Sequence, residues 1–504
     1  MKFGVDTRSS RAALLLALAG FITLATLNAG GYRYGASDQA FYVPAVLLQL
    51  DPELFPRDHA VLAAQTHLTV VDELIAGTVR ITGASLPAIF LAMYVAALAM
   101  LAAGGWLIGI RLYRSQWTAV ALLAAMTLRH AIARSGTNTL EGYFHPRTMA
   151  FALGALAMAS FLRRRLALSF LLVGIAGAVH PTTALWFGVW FTAAAWIAYP
   201  RLRAPIAGLA VIGGIAALWA LSAGPLAGRL AAMDADWRAT LVTRDYLFPL
   251  EWPLYPWVLN LGYLPLIAWI YMRRQRSGLT DGHERALVLG SASLLAVFAV
   301  ALVLHAMDVI ISIQLQPARV FWMFDFLATI YLVWLLAEGL PLRRAPLYGV
   351  PDRRAPLILA ILILCLSAAR GAYVLVDSER PLMQVSIRDD DWGKVMAFAR
   401  TTAKDSHWLA HPFHAALYGT SLRIAGERDV FVEGMKDIAI GMYDREVAMR
   451  TAERLAALPN FESLNASGVR TLAAEYDLDY VVTESRMDLP MAFESGRLRV
   501  YRLQ

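Results

Sequence analysis

The chain reads as a polytopic α-helical membrane protein of about eleven transmembrane helices, closed by a C-terminal extracytoplasmic α/β domain. Three observations predict this. Of its 504 residues, 58% are hydrophobic and 16% charged, and the mean hydropathy is +0.52. The apolar residues fall in repeated blocks long enough to cross a hydrocarbon core. From about Asp377 onward the composition turns to that of a soluble domain.

In chain order, apolar spans are predicted over 12–29, 86–110, 117–133, 148–162, 166–179, 183–199, 205–222, 254–272, 286–305, 319–338 and 356–376. The first reads as an uncleaved signal-anchor, because Asn28-Ala29-Gly30 is a poor cleavage site. The membrane domain is thus expected over 1–376, with a large first outer loop at 30–85, and the soluble domain over 377–504. Basic residues set the orientation. Lys2, Arg8, Arg11, Arg111, Arg114, the triplet from Arg163, Arg201, Arg203, the group from Arg273, Arg343-Arg344 and Arg353-Arg354 all fall on the N-terminal side, which is therefore predicted cytoplasmic. The net charge of +7 follows from those loops and is no nucleic-acid signal. The lone Cys365 excludes an intrachain disulfide, and no zinc, Walker or dinucleotide pattern is present. In the last domain, Asp389-Asp390-Asp391 predicts a cap for a helix over 392–403. Strands are expected at HWLAH, RDVFVEG, DYVVTE and LRVYRL, and helices over 436–457 and 466–477.

The opposite face collects the residues that look like chemistry. Asp38, in SDQAFY just beyond the first span, suits a general base, although capping of a following helix is the commoner use of such a residue. Further along the same loop, Asp58 reads as part of a structural turn in which it pairs with Arg57, with Asp58 and His59 at the wall of the same cavity as the second reading. Arg129, Glu141, Tyr143, His145 and Arg147 bracket the ends of the third and fourth spans. There Arg147 suits a phosphate, or else an ion pair with Glu141 that fixes the loop. His180, in HPTT, reads as a capping or lining group. His305 and Asp308 precede the tenth span, and Arg319 at its outer end suits a lipid phosphate, or else snorkels to the interface. Asp325 lies about two turns deeper, with Arg319 as a conceivable partner.

The layout of one span, an outer loop with an early aspartate, about ten further helices and an outer soluble domain resembles the GT-C superfamily of membrane glycosyltransferases. EGYFHPR, HPTTALWF and QPARVFW look like motifs of an uncharacterised bacterial branch. The resemblance implies an enzyme of the bacterial plasma membrane that moves one sugar from a polyprenyl-phosphate donor to a lipid, glycan or protein acceptor at the outer face. It makes Asp38 the catalytic residue, with Arg147 and Arg319 on the donor phosphate and membrane lipids as further partners. A divalent cation stays open as a cofactor, since Gln39 stands where many relatives carry a second acid. The tail lacks a WWDYG-like motif, a departure from oligosaccharyltransferases. A non-catalytic assembly protein of the same shape, or a flippase, are the alternatives.

Overall fold

The computed structural model describes residues 7–66, 69–340 and 354–504, so the basic positions Lys2, Arg343-Arg344 and Arg353 lie outside the described residues. Helix α1 (Thr7–Asn28) leads into a short strand, β1 (Tyr32–Arg33). The long segment that follows is itself helical, as α2 (Gln39–Leu50), α3 (His59–Thr66) and α4 (Val71–Thr82). Next come α5 (Leu86–Leu112) and α6 (Gln116–Met126), a hairpin of β2 (Ala131–Ile132) and β3 (Thr137–Asn138), then α7 (Pro146–Leu162), α8 (Leu166–Val179), α9 (Pro181–Ala198) and α10 (Arg203–Ser222). After α11 (Ala235–Leu241) the chain re-enters apolar helices, α12 (Leu254–Arg276), α13 (Gly282–Gly290), α14 (Ala292–Ala306), α15 (Ile310–Gln314), α16 (Val320–Trp334) and α17 (Arg354–Asp377).

Among the described residues, five helical runs are long and apolar enough to cross a membrane: Leu86–Leu112, Pro200–Ser222, Gly282–Ala306, Ile310–Gly339 and Arg354–Asp377. Several of the other expected spans are shorter apolar helices, α6, α7 and α8 among them. The one expected over 117–133 stops at Met126, because the chain turns there into the β2–β3 hairpin. Close packing of α5 on α7 uses Gly104, where a Cβ would lie 2.9 Å from that of Ala155. Asp325 on α16 takes His130 at 2.9 Å and the Tyr263 hydroxyl at 3.0 Å, not Arg319. Its partners come from the loop before the hairpin and from α12, which the sequence separation hid.

The C-terminal domain opens with β4 (Met383–Gln384) and continues through α18 (Asp391–Ala399), β5 (His407–Leu409), α19 (His414–Tyr418), α20 (Leu422–Ala425), β6 (Asp429–Val430), α21 (Gly434–Ile440), α22 (Arg445–Ala456), α23 (Ala466–Tyr476), β7 (Tyr480–Thr483), β8 (Met491–Ser495) and β9 (Leu498–Arg502). Its five-stranded sheet has the order β6-β5-β7-β9-β8, parallel across the first three strands and antiparallel beyond. Side chains alternate between two cores, as the pleat requires. Trp408, Val430, Val482 and Val500 face α18, while Leu409, Phe431, Val481 and Tyr501 face α23.

Three of the joints between the two parts frame the site. First, β1 pairs in parallel with β4, Tyr32 opposite Met383 and Arg33 opposite Gln384. Second, the fully buried Asp58 accepts from Arg423 at 2.8 Å and from the Val430 amide at 3.0 Å, and it also pairs with Arg450. Third, the Trp237 indole donates to the Gly441 carbonyl at 2.7 Å, and the Gln314 amide donates to that of Met442 at 2.9 Å.

Candidate active site

Asp38 occupies the N-cap position of α2, yet its carboxylate makes no capping bond. Gln39 supplies the local order instead: its Oε1 accepts from the Gly35 amide at 2.6 Å and its Nε2 donates to the Phe144 carbonyl at 3.2 Å. The Asp38 carboxylate is thereby released from its own helix and turned toward other elements. Its Oδ1 accepts from the Lys436 ammonium at 2.7 Å, and its Oδ2 from the Tyr143 hydroxyl at 3.2 Å. His145 Nε2 lies 3.2 Å from the same Oδ2.

The two His-Pro pairs explain how the rings are aimed. Proline suits the first turn of a helix, where its missing N–H is no loss, and each histidine before it caps that helix. His145 Nδ1 accepts from the Arg147 amide at 3.0 Å, and His180 Nδ1 from the Thr183 amide at 3.2 Å. With Nδ1 accepting, the neutral His145 ring carries its proton on Nε2 and donates it to Asp38. Burial, then the neighbouring Arg147, pulls the His145 pKa down to about 4. Burial also holds His180 well below its ordinary value, with Arg319 adding to the effect. Asp38 goes the other way. Burial favours its neutral form, but the Lys436 charge, then His145, hold it well below the usual carboxylate range. The pair is therefore a carboxylate and a neutral imidazole at neutral pH.

Asp38 lines two cavities, and a third, apolar one adjoins the first of them. An apolar one of about 640 Å³ runs between α3, α9 and α15, lined by Ala63, Pro181, Leu185, Leu226, Ile311 and Leu315 among others. It shares Tyr42, His180 and Tyr443 with a cationic chamber of about 190 Å³, which Asp38, Arg147, Arg244, Arg319 and Lys436 line together with Tyr246. A further chamber of about 410 Å³ lies on the other side of Asp38, bounded by Arg33, Arg129, Glu141, Tyr143 and Arg380.

The structure thus brings together Asp38, Tyr143, His145, Arg147, His180 and Arg319, with Arg129 and Glu141 just beyond. Arg147 donates to Glu141 at 3.0 Å and to the Gly136 carbonyl at 3.2 Å, so it is paired as well as cavity-lining. Arg319 has no ion-pair partner among the described residues, and its buried Nε makes no hydrogen bond. Four expected members lie elsewhere. Asp58 is locked into the domain joint, His59 is exposed, and Asp308 pairs with Arg238 at 3.0 Å. His305 spends both ring nitrogens on backbone carbonyls, those of Ala301 and Leu247. Sequence reasoning missed Lys436, Arg33, Arg244 and Arg380, and no local pattern marks any of them. A divalent cation does not fit the donor set. Both Asp38 oxygens are taken by donors, and Glu141 is held by Arg147.

No family model matches the chain, and no curated protein does. Among solved structures, the chain is similar to the apo crystal structure of the oligosaccharyltransferase of Archaeoglobus fulgidus. The TM-score is 0.49 at 12% sequence identity, with 94% of this chain and 69% of that one covered.

Proposed function

We propose that the protein is a membrane glycosyltransferase that moves a single sugar from a polyprenyl-phosphate donor to an acceptor at the outer face of the bacterial plasma membrane. The observation that carries this reading is the position of Asp38, an ionised carboxylate at the edge of a cationic chamber that opens onto an apolar cavity. The apolar cavity suits the proximal prenyl units, and burying their methylenes supplies binding energy of about 25 cal/mol per Å². The donor phosphate then reaches Arg319, whose unpaired guanidinium suits an oxyanion, with Arg147, Arg244 and Lys436 around it. Tyr42, Tyr246 and Tyr443 offer rings and hydroxyls to a sugar.

In the transfer step the bond from the anomeric carbon to the phosphate oxygen breaks as the bond to the acceptor heteroatom forms. Negative charge grows on the leaving phosphate, where Arg319 and its neighbours stabilise it. The acceptor's proton becomes strongly acidic as its heteroatom bonds to carbon, so even a carboxylate of low basicity collects it. That is the role of Asp38, with His145 and Tyr143 holding its orientation. The polyprenyl phosphate leaves along the apolar cavity.

The test compares envelope glycans and glycolipids by mass spectrometry in a deletion strain, in the same strain carrying the wild type, and with Asp38→Asn at equal expression. The expected result is loss of one sugar in the deletion, its return with wild type and its continued absence with Asp38→Asn. Full restoration by Asp38→Asn would overturn catalysis through this residue and favour a partner-binding membrane protein of the same shape. Arg319→Gln should weaken polyprenyl-phosphate binding by the purified protein about tenfold or more. Unchanged affinity would count against the placing of the donor.

A further inference from the structure

We infer that the 410 Å³ chamber beside Asp38 is the acceptor site and is built for an acceptor that carries a phosphate monoester. This rests on the reading of Asp38 and the cationic chamber given above. The two chambers stand on either side of one wall, because Asp38, Gly136 and Arg147 line both. The apolar cavity shares lining residues with the cationic chamber and none with the second. A donor whose chain fills the apolar cavity therefore presents its phosphate to Arg319 and leaves the second chamber free, with Asp38 between the two substrates.

The second chamber is unbalanced in charge. Arg33, Arg129, Arg147 and Arg380 line it against Asp38 and Glu141. Both carboxylates are already committed, Glu141 to Arg147 at 3.0 Å and Asp38 to Lys436 at 2.7 Å. Arg129 keeps a 3.9 Å approach to Glu141, and its Nε donates to the Leu140 carbonyl at 3.0 Å. The guanidinium groups of Arg33 and Arg380 have no partner among the described residues, and the Arg33 Nε is buried without one. Burial, then the Arg380 charge, pulls the Arg33 pKa down to about 10, as expected for a cation crowded by like charges.

Arg33 is also fixed in place. It pairs with Gln384 across the β1–β4 ladder, and its amide donates to the Gly142 carbonyl at 2.8 Å. Gly142 must be glycine there, since a Cβ would stand 2.5 Å from the Gly31 carbonyl oxygen. Holding the half-buried Arg33 with no carboxylate of its own is costly, and an arriving dianion offsets that cost. Planar guanidinium forks suit the terminal oxygens of a phosphate. The rim includes Ala29 just after α1, and Val374 and Ser378 at the end of α17, so it lies where two apolar helices end. Lipid headgroups sit at that level. The phosphate can thus come from a headgroup or from a soluble molecule.

The experiment uses the full chain in nanodiscs. Two arms measure inorganic phosphate and glycerol 3-phosphate by calorimetry. A third measures phosphatidic acid against phosphatidylcholine by native mass spectrometry, and a parallel titration follows polyprenyl phosphate. Arg33→Gln and Arg380→Gln should each weaken the phosphate-bearing probe about tenfold, while polyprenyl phosphate stays within about twofold. Arg319→Gln should do the reverse. Arg380 is exposed and has no partner among the described residues, so its substitution should leave folding intact even where that of Arg33 does not. Preference for phosphatidic acid over the soluble probes would name a lipid acceptor, and the opposite preference a soluble one. The inference falls if no probe saturates, or if Arg33→Gln and Arg380→Gln bind every probe like the wild type while polyprenyl phosphate still depends on Arg319. Loss of polyprenyl-phosphate binding in the wild type itself would instead overturn the reading of the donor chamber.

Discussion

The behaviour of His145 shows how much one buried ring can hold. Its folded pKa of about 4 lies below the ordinary 6.5, so between those values the unfolded chain binds a proton that the folded chain refuses. Stability contributed by the neutral ring is therefore present above pH 6.5 and is lost as the pH falls toward 4. The separation corresponds to about 3 kcal/mol at most. His145→Gln keeps an N–H for Asp38 and cannot be protonated, so its Tm should fall less than that of the wild type between pH 7 and pH 5. Equal falls would mean that another group sets the acid limit. Asp38 adds to the same trend, because its depressed pKa contributes stability that is present above the ordinary carboxylate range and lost below it. At this scale the sequence was informative about residue type. Asp38, His145, Arg147 and Arg319 stood out as ionisable groups beside apolar helices, a costly placement. It was silent about pairing, since Asp38 and Lys436 are 398 positions apart.

Elements were legible wherever a pattern was local. Asp390 caps α18 through the Gly393 amide at 2.9 Å, and the strands read from alternation at HWLAH, DYVVTE and LRVYRL are present. The helix expected over 436–457 is broken into α21 and α22, because Asp444 turns out of helical geometry and caps the second piece. Strand β8 was not read at all: its alternation is weak, and pairing with β9 supplies its order. The segment between α1 and α5 carried no sign that Asp58 would dock a domain. Its two oxygens are held by Arg423, Arg450 and the Val430 amide, all from the C-terminal domain. Removing one partner of a buried charge set costs about 3–5 kcal/mol, most of it from the charges left behind. Asp58→Ala should therefore lower the Tm by several degrees and open the 377–504 region to limited proteolysis. A variant as resistant as the wild type would show that the β1–β4 ladder and the Trp237–Gly441 bond hold the domain without it.

At the scale of the whole molecule, the site exists only because distant parts of the chain close on one carboxylate. The segment between α1 and α5 gives Asp38, the hairpin connection gives His145 and Arg147, the start of α16 gives Arg319, and the C-terminal domain gives Lys436. The Lys436 ammonium at 2.7 Å is the nearest charge on Asp38 and the leading cause of its lowered pKa after burial is set aside. If transfer needs an ionised Asp38, the C-terminal domain sets the acid limit of the reaction by where it places one ammonium. Lys436→Met should move the acid limb of kcat/KM to higher pH, since a carboxylate stripped of an adjacent cation regains basicity. The alkaline side should not move. The same variant leaves Arg319 and the apolar cavity untouched, so polyprenyl-phosphate affinity should change less than it does with Arg319→Gln. The profile is read on the glycosylated product that the strain comparison identifies, with purified protein in nanodiscs. An unshifted limb would mean that Lys436 only braces the domain joint and that the carboxylate takes its acidity from His145 and Tyr143.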